Sequence, residues 1–187
     1  MANKNSKRLV IDTSIARSAG GENAVHPESK DCRDFLLAVL SICHKIVVNP
    51  EMKAEWYKHE SIFFRKWRVQ MVAKRNFIYV DKEDKNFLEI KTQIESLAKT
   101  YENREAMEKD CFLLELALAH DNIVVSNDEK VRNLFREISA QVTEIREVNW
   151  IKPIKPEETP VEWLTQGANL EYKRSLGCSA EAEYLMS

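Results

Sequence analysis

The sequence predicts an α/β protein in which a mainly parallel sheet is covered by helices on both faces. Three observations predict it. Short β-branched runs alternate with stretches whose apolar residues recur at helical spacing. Those runs are almost wholly apolar, as suits strands buried on both sides. Glycine (4) and proline (5) are too scarce for a turn-rich all-β chain or for long flexible linkers.

The elements follow in order. "RLVID", from Arg8 to Asp12, reads as a buried strand. "KDCRDFLLAVLSICHK" places Phe35, Val39 and Ile42 at helical intervals, with Ile46 at the next, and "IVV", which begins at Ile46, follows as a second strand. Asn49 then Pro50 is a helix start, because Asn caps the first turn and Pro fits its first position. A second helix, "SIFFRKWRVQMVAKR", sets Phe64, Trp67 and Met71 on one stripe, and "FIYV" is a third strand. "KNFLEIKTQIESLAKTY" predicts a helix with Leu88, Ile94, Leu97 and Tyr101 inward. A helix from Met107 to His120 leads through Asp121-Asn122 into the strand "IVVS". "EKVRNLFREI" turns Val131, Leu134, Phe135 and Ile138 inward, and "VTEIREV" reads as a last, edge strand. From Trp150 the chain becomes Pro- and charge-rich. We therefore expect a domain over 1–149 and an extension over 150–187 that packs on the core or mediates association, with a short helix in "VEWLTQGANLEYKRSLG" and a loose end in "CSAEAEYLMS".

The chain has 187 residues, 44% of them hydrophobic, enough for one good core, and a formal net charge of −2. It is not a generally basic nucleic-acid binder, so any basic surface is local. No apolar run approaches the roughly 20 residues a membrane helix needs. "MANKNSKRLVID" lacks a signal-peptide apolar region, so a cytoplasmic location is expected. Cys32, Cys43, Cys111 and Cys178 show no C-x-x-C spacing and read as reduced thiols, mostly buried. His26, His44, His59 and His120 form no H-E-x-x-H motif.

Four acids carry the chemistry. From Asp110 to His120 a helix climbs about 15 Å at 1.5 Å per residue. The strand from Ile123 to Ser126 comes back by roughly 13 Å. Asp110 and Asp128 therefore share one sheet edge, and Asp12 shares it if the strands are parallel. Glu55 lies in the second turn of a helix leaving the second strand there. Sites in open parallel sheets form outside the strands' carboxyl ends, where the winding reverses. Carboxylates about 5 Å apart repel by roughly 3 kcal/mol per pair, so a cation or protons must offset them. All-oxygen donors suit Mg²⁺ or Mn²⁺. Taken singly, Asp12 and Asp128 read as helix caps, Asp110 as a first-turn acid favoured by the dipole, and Glu55 as a solvated helix acid.

"LVIDTSI", "VNPEMKAEW" and "EKDCFLLELALAHDNIVVSNDEKVRNLF" together resemble a PIN-domain nuclease of the bacterial kind that includes VapC-type toxins. The resemblance spans Arg8 to Val148 and is most specific in the last stretch. It implies a three-layer α/β/α sandwich and metal-dependent hydrolysis of phosphodiesters, most often in RNA. It carries Asp12, Glu55, Asp110 and Asp128 into the metal-holding cluster, with Ser14 in support and Asn127 and Glu129 as weaker candidates. Glu51, one turn before Glu55, is a substitute ligand. It further implies a homodimer and, if the protein is a toxin, a small antitoxin as partner.

A polyanion needs local cations. "YKHESIFFRKWRVQMVAKRN" holds Lys58, Arg65, Lys66, Arg68, Lys74 and Arg75 against one acid, Glu60. Arg65, Arg68 and Arg75 share a helical face, with Lys66 beside them, and are expected to bind backbone phosphates on the path to the site. An ordinary solvated face is the alternative. Two other functions fit the same sequence. One is a catalytically silent module binding nucleic acid or protein. The other is a DNA-directed nuclease in repair or phage defence.

Overall fold

The computed structural model describes residues 6–81 and 84–178. Five strands form one sheet: β1 (Arg8–Ile11), β2 (Lys45–Val48), β3 (Phe77–Tyr79), β4 (Ile123–Val125) and β5 (Asn149–Ile151). Their spatial order is β3-β2-β1-β4-β5, and every strand pairing among the described residues is parallel. Leu9, Val10 and Ile11 are fully buried, as are Ile123, Val124 and Val125. A parallel sheet wrapped on both faces demands that burial.

The helices are α1 (Thr13–Ser18), α2 (Pro27–Ile42), α3 (Pro50–His59), α4 (Ile62–Ala73), α5 (Phe87–Leu97), α6 (Tyr101–Leu118), α7 (Glu129–Ile138) and α8 (Pro160–Thr165). They form two layers. In one, α1 packs on α2 and α3, and α2 on α4 and α8. In the other, α5, α6 and α7 pack on one another. The winding explains the division. From β1 the chain steps to β2 and β3 in one direction, then crosses back to β4 and β5. Right-handed crossovers place the helices of those two excursions on opposite faces. The result is a three-layer α/β/α sandwich whose winding reverses between β1 and β4. Among the described residues no helix is long and apolar enough to cross a membrane.

The start signals act as the sequence predicts. Asn49 Oδ1 accepts the Met52 amide at 2.8 Å with Pro50 opening α3. Phe64, Trp67 and Met71 form the buried stripe of α4. Cys32, Cys111 and Cys178 are buried, as expected.

Other expectations need correction. "VTEIREV" is not a strand: Thr143–Ile145 form a 3-10 turn. The buried residues there are Val142, Ile145 and Val148, spaced by three, which matches a 3-10 period. Alternation would have buried Glu144 and Arg146 with Val142. The fifth strand comes just after, at Asn149–Ile151, across the boundary expected at 149/150. The chain beyond it packs on the same core. Trp163, Leu164, Ala168, Leu176 and Cys178 are buried, and α8 lies on α2. Of the end expected to be loose, 179–187 lies outside the described residues.

The helix expected from Met107 starts at Tyr101, where Thr100 Oγ1 accepts the Asn103 amide at 3.1 Å. Its first turns are polar, so apolar spacing does not reveal them. Leu88 and Tyr101 are exposed, not inward. The stripe of α5 is Phe87, Ile90, Ile94 and Leu97, and Tyr101 belongs to the next helix.

Candidate functional site

Asp12 follows β1 directly and caps α1. Asp128 follows β4 after Ser126 and Asn127 and caps α7, accepting the Val131 amide on Oδ1 at 2.9 Å. Both therefore do cap helices, and both stand where the winding reverses. Asp110 comes from the middle of α6. The first-turn reading is excluded, because nine residues of α6 precede it. Those residues carry the helix about 13 Å beyond Asp110.

The capping geometry leaves oxygens over. Asp12 Oδ2 accepts the Ser14 amide, the Ser14 hydroxyl and, at 2.8 Å, the Ser126 hydroxyl. Its Oδ1 makes no hydrogen bond among the described residues, and neither does Asp128 Oδ2. Each aspartate is thus anchored by one oxygen and free at the other. Ser14 Oγ also accepts the Asn127 amide at 3.0 Å, and Ser126 Oγ accepts the Asp128 amide at 3.1 Å. Two hydroxyls therefore join the ends of β1 and β4. The Asn127 side chain turns away, its Nδ2 meeting Cys32 Sγ at 3.4 Å, so its part here is played by the backbone. Ser126 has no role assigned from sequence. The signal was present in "SND", but a serine ending a strand looks like any other turn residue.

Asp12, Asp110 and Asp128 line one open cavity of about 190 Å³, together with Glu51 and Glu55 of α3. The α3 helix is locked beside β1 by Trp56, whose buried indole donates to the Ile11 carbonyl at 3.2 Å. Burial first, then the charges of Asp12 and Asp128, push the Asp110 carboxyl up to about 7, with Glu51 adding to the rise and Lys109 opposing it. Asp110 has no hydrogen-bond donor among the described residues to offset this.

Glu55 stands differently. Its Oε1 accepts Lys58 Nζ at 3.0 Å and its Oε2 lies 3.7 Å from His59 Nε2. The Lys58 hydrogen bond holds its carboxyl below the ordinary range. Glu55 lines the rim as part of an ion pair, whereas Glu51 acts on Asp110. Glu129 faces away, bound to Lys152 at 3.1 Å and Lys155 at 3.5 Å.

The expected phosphate-binding face is occupied internally. Arg65 and Arg68 both bind Glu60, at 3.1 and 2.9 Å, and cover a carboxylate that is only 2% exposed. Arg68 also stacks over Tyr57. Lys66 pairs with Glu22 at 2.9 Å. Arg75 lies past the end of α4 with φ of 57°. None of these four lines the cavity; its basic side chains are Arg17, His59 and Lys109. A charge count along α4 hides this, because Glu60 precedes the helix and folds back under it.

An all-oxygen donor set with an uncompensated Asp110 and two free aspartate oxygens fits a hard divalent cation in kind. As they stand, no three His, Cys, Asp or Glu side chains among the described residues are placed to hold a metal ion. Coordination therefore requires these carboxylates to rearrange. A larger hollow, about 700 Å³, lies by Asn122, Asn149 and Tyr172 at the strands' amino ends. Its charged lining sets Glu144, Glu147 and Glu171 against Arg146. No family model matches the chain, and no match is found among curated proteins or solved structures.

Proposed function

We infer that the protein is a metal-dependent nuclease of the PIN type acting on RNA. The observation that carries this reading is the convergence of Asp12, Asp110 and Asp128, from three separate elements, on one cavity where Asp110 is pushed to about 7. Asp12 Oδ1, Asp128 Oδ2 and Asp110 are the oxygens that would hold Mg²⁺ or Mn²⁺. Glu51 completes the set, and Glu55 joins it only by giving up Lys58. Such an ion supplies Lewis-acid and water-activating chemistry for phosphodiester hydrolysis. Ser14 and Ser126 keep Asp12 and Asp128 in register. The toxin role, the small antitoxin, the homodimer and the cytoplasmic location belong to this reading through the PIN resemblance.

A second reading, a silent binding module on the same fold, is favoured by the Glu55–Lys58 pair, which engages one of the expected ligands. One experiment separates the two. Labelled single-stranded RNA and DNA are incubated with wild type and Asp12→Asn in Mg²⁺, Mn²⁺ or EDTA. Metal-dependent cutting of RNA, lost in the variant, is expected. Cutting of DNA alone moves the substrate class, and no metal-dependent cutting leaves the binding module.

A further inference from the structure

Many of the basic side chains on the helices near the cavity are committed. Lys58 and His59 face Glu55, Arg65 and Arg68 hold Glu60, Lys66 holds Glu22, and Lys152 and Lys155 hold Glu129. Two cavity-lining cations differ. Arg17 and Lys109 make no hydrogen bond or ion pair among the described residues, although five carboxylates line the same cavity. Both are exposed. Arg17 stands in the last turn of α1, in one helical layer, and Lys109 on α6, in the other. The Lys109 ammonium is within electrostatic reach of both Asp110 and Glu55. The two cations thus stand on either side of the sheet edge that carries the aspartates.

We propose that Arg17 and Lys109 are the substrate-contacting cations of this site, binding backbone phosphates of a single-stranded nucleic acid laid across the edge between the two layers. This rests on the nuclease reading and names the residues that make an acidic cavity acceptable to a polyanion. A divalent ion offsets the carboxylates only at the centre. Phosphates on either side of it still meet a negative rim, and unpaired cations in opposite walls reverse that sign where the strand enters and leaves. Arg17 offers a planar fork suited to two phosphate oxygens, and Lys109 a point charge. The cavity, about 190 Å³, has room for a phosphate and its neighbouring sugar atoms.

The test uses the whole chain and an end-labelled single-stranded RNA, with Mn²⁺ present and KCl varied, reading binding by anisotropy and cutting in the same samples. Arg17→Ala and Lys109→Ala should each flatten the slope of log affinity against log salt by about 0.7, the value for one phosphate contact on a single strand. The double variant should lose both increments and raise KM more than it lowers kcat. Arg17→Lys and Lys109→Arg keep the charge and should restore the slope. Lys99→Ala removes an exposed lysine paired with Glu137, away from the cavity, and should leave the slope unchanged. A double variant with the wild-type slope, or an equal flattening in Lys99→Ala, overturns the assignment. Cutting with an unchanged slope leaves the nuclease and removes these two contacts. A flattened slope without cutting keeps the contacts and removes hydrolysis. Neither binding nor cutting by wild type sinks both.

Discussion

The Ser126 hydroxyl donates to Asp12 Oδ2 at 2.8 Å and accepts the Asp128 amide at 3.1 Å. Ser126 is 1% exposed, so one buried hydroxyl fixes two of the three cavity aspartates at once. Ser126→Ala leaves the Asp128 amide without its acceptor and takes one of three donors from Asp12 Oδ2. It should cost roughly 1–3 kcal/mol in urea unfolding. Mn²⁺ affinity should fall with it, because the free oxygens of Asp12 and Asp128 lose their shared register.

Asp110 makes the site sensitive to pH. Burial and the neighbouring aspartates raise its carboxyl from 3.8 to about 7, so the folded state favours the protonated form. That contribution to stability is complete below the unfolded value and is lost as pH rises through about 7. In EDTA, wild type should therefore lose stability relative to Asp110→Asn between pH 3.8 and about 7. Thermal melts across that range check it. Metal binding displaces the proton, so Mn²⁺ affinity should climb over the same window and level off above it.

Glu51 and Glu55 can be told apart by charge removal. Glu51→Gln takes a like charge from Asp110 and should lower its pKa, read by carboxyl-carbon NMR titration. Glu55→Gln instead frees Lys58 and His59. Mn²⁺ affinity should drop further in Glu51→Gln, and the opposite order would place the fourth ligand at Glu55.

Glu158 tests the carboxy-terminal packing. Its Oε1 meets Arg132 at 3.0 Å and its Oε2 meets Arg174 at 3.6 Å, with the two arginines 0% and 2% exposed. Arg174 also donates to the Glu158 carbonyl and to Glu171 at 2.8 Å. Glu158→Ala takes a carboxylate from two buried guanidiniums, of which Arg132 keeps Glu129 at 4.0 Å and Arg174 keeps Glu171 at 2.8 Å, and should lower the urea midpoint.

The fold class was legible because strand burial and helix spacing are local patterns. Arg8–Ile11, Lys45–Val48 and Phe77–Tyr79 all lie in runs that sequence alone picks out. The edge strand was not, because the β-branched residues of "VTEIREV" suggest a strand while the spacing of Val142, Ile145 and Val148 by three suits a tight turn. Asp110 and Asp128 could be brought together from helix rise and strand rise, and Asp12 with them once the strands are taken as parallel. What sequence could not supply was side-chain commitment. Nothing in "RKWR" shows that Glu60 lies beneath it, and nothing in "PEMKAE" shows which glutamate Lys58 takes. Arg17 and Lys109 look ordinary until their neighbours are seen to be engaged elsewhere.

The aspartates that share the cavity enter the chain far apart. Asp12 and Glu51 come early, Asp110 sits on a crossover helix, and Asp128 arrives only after β4 has slotted in beside β1. A ribosome-bound fragment ending before β4 lacks both the partner strand of β1 and the serine that grips Asp12. Such a fragment has no assembled centre, so whatever chemistry the finished protein performs is withheld until late in its synthesis.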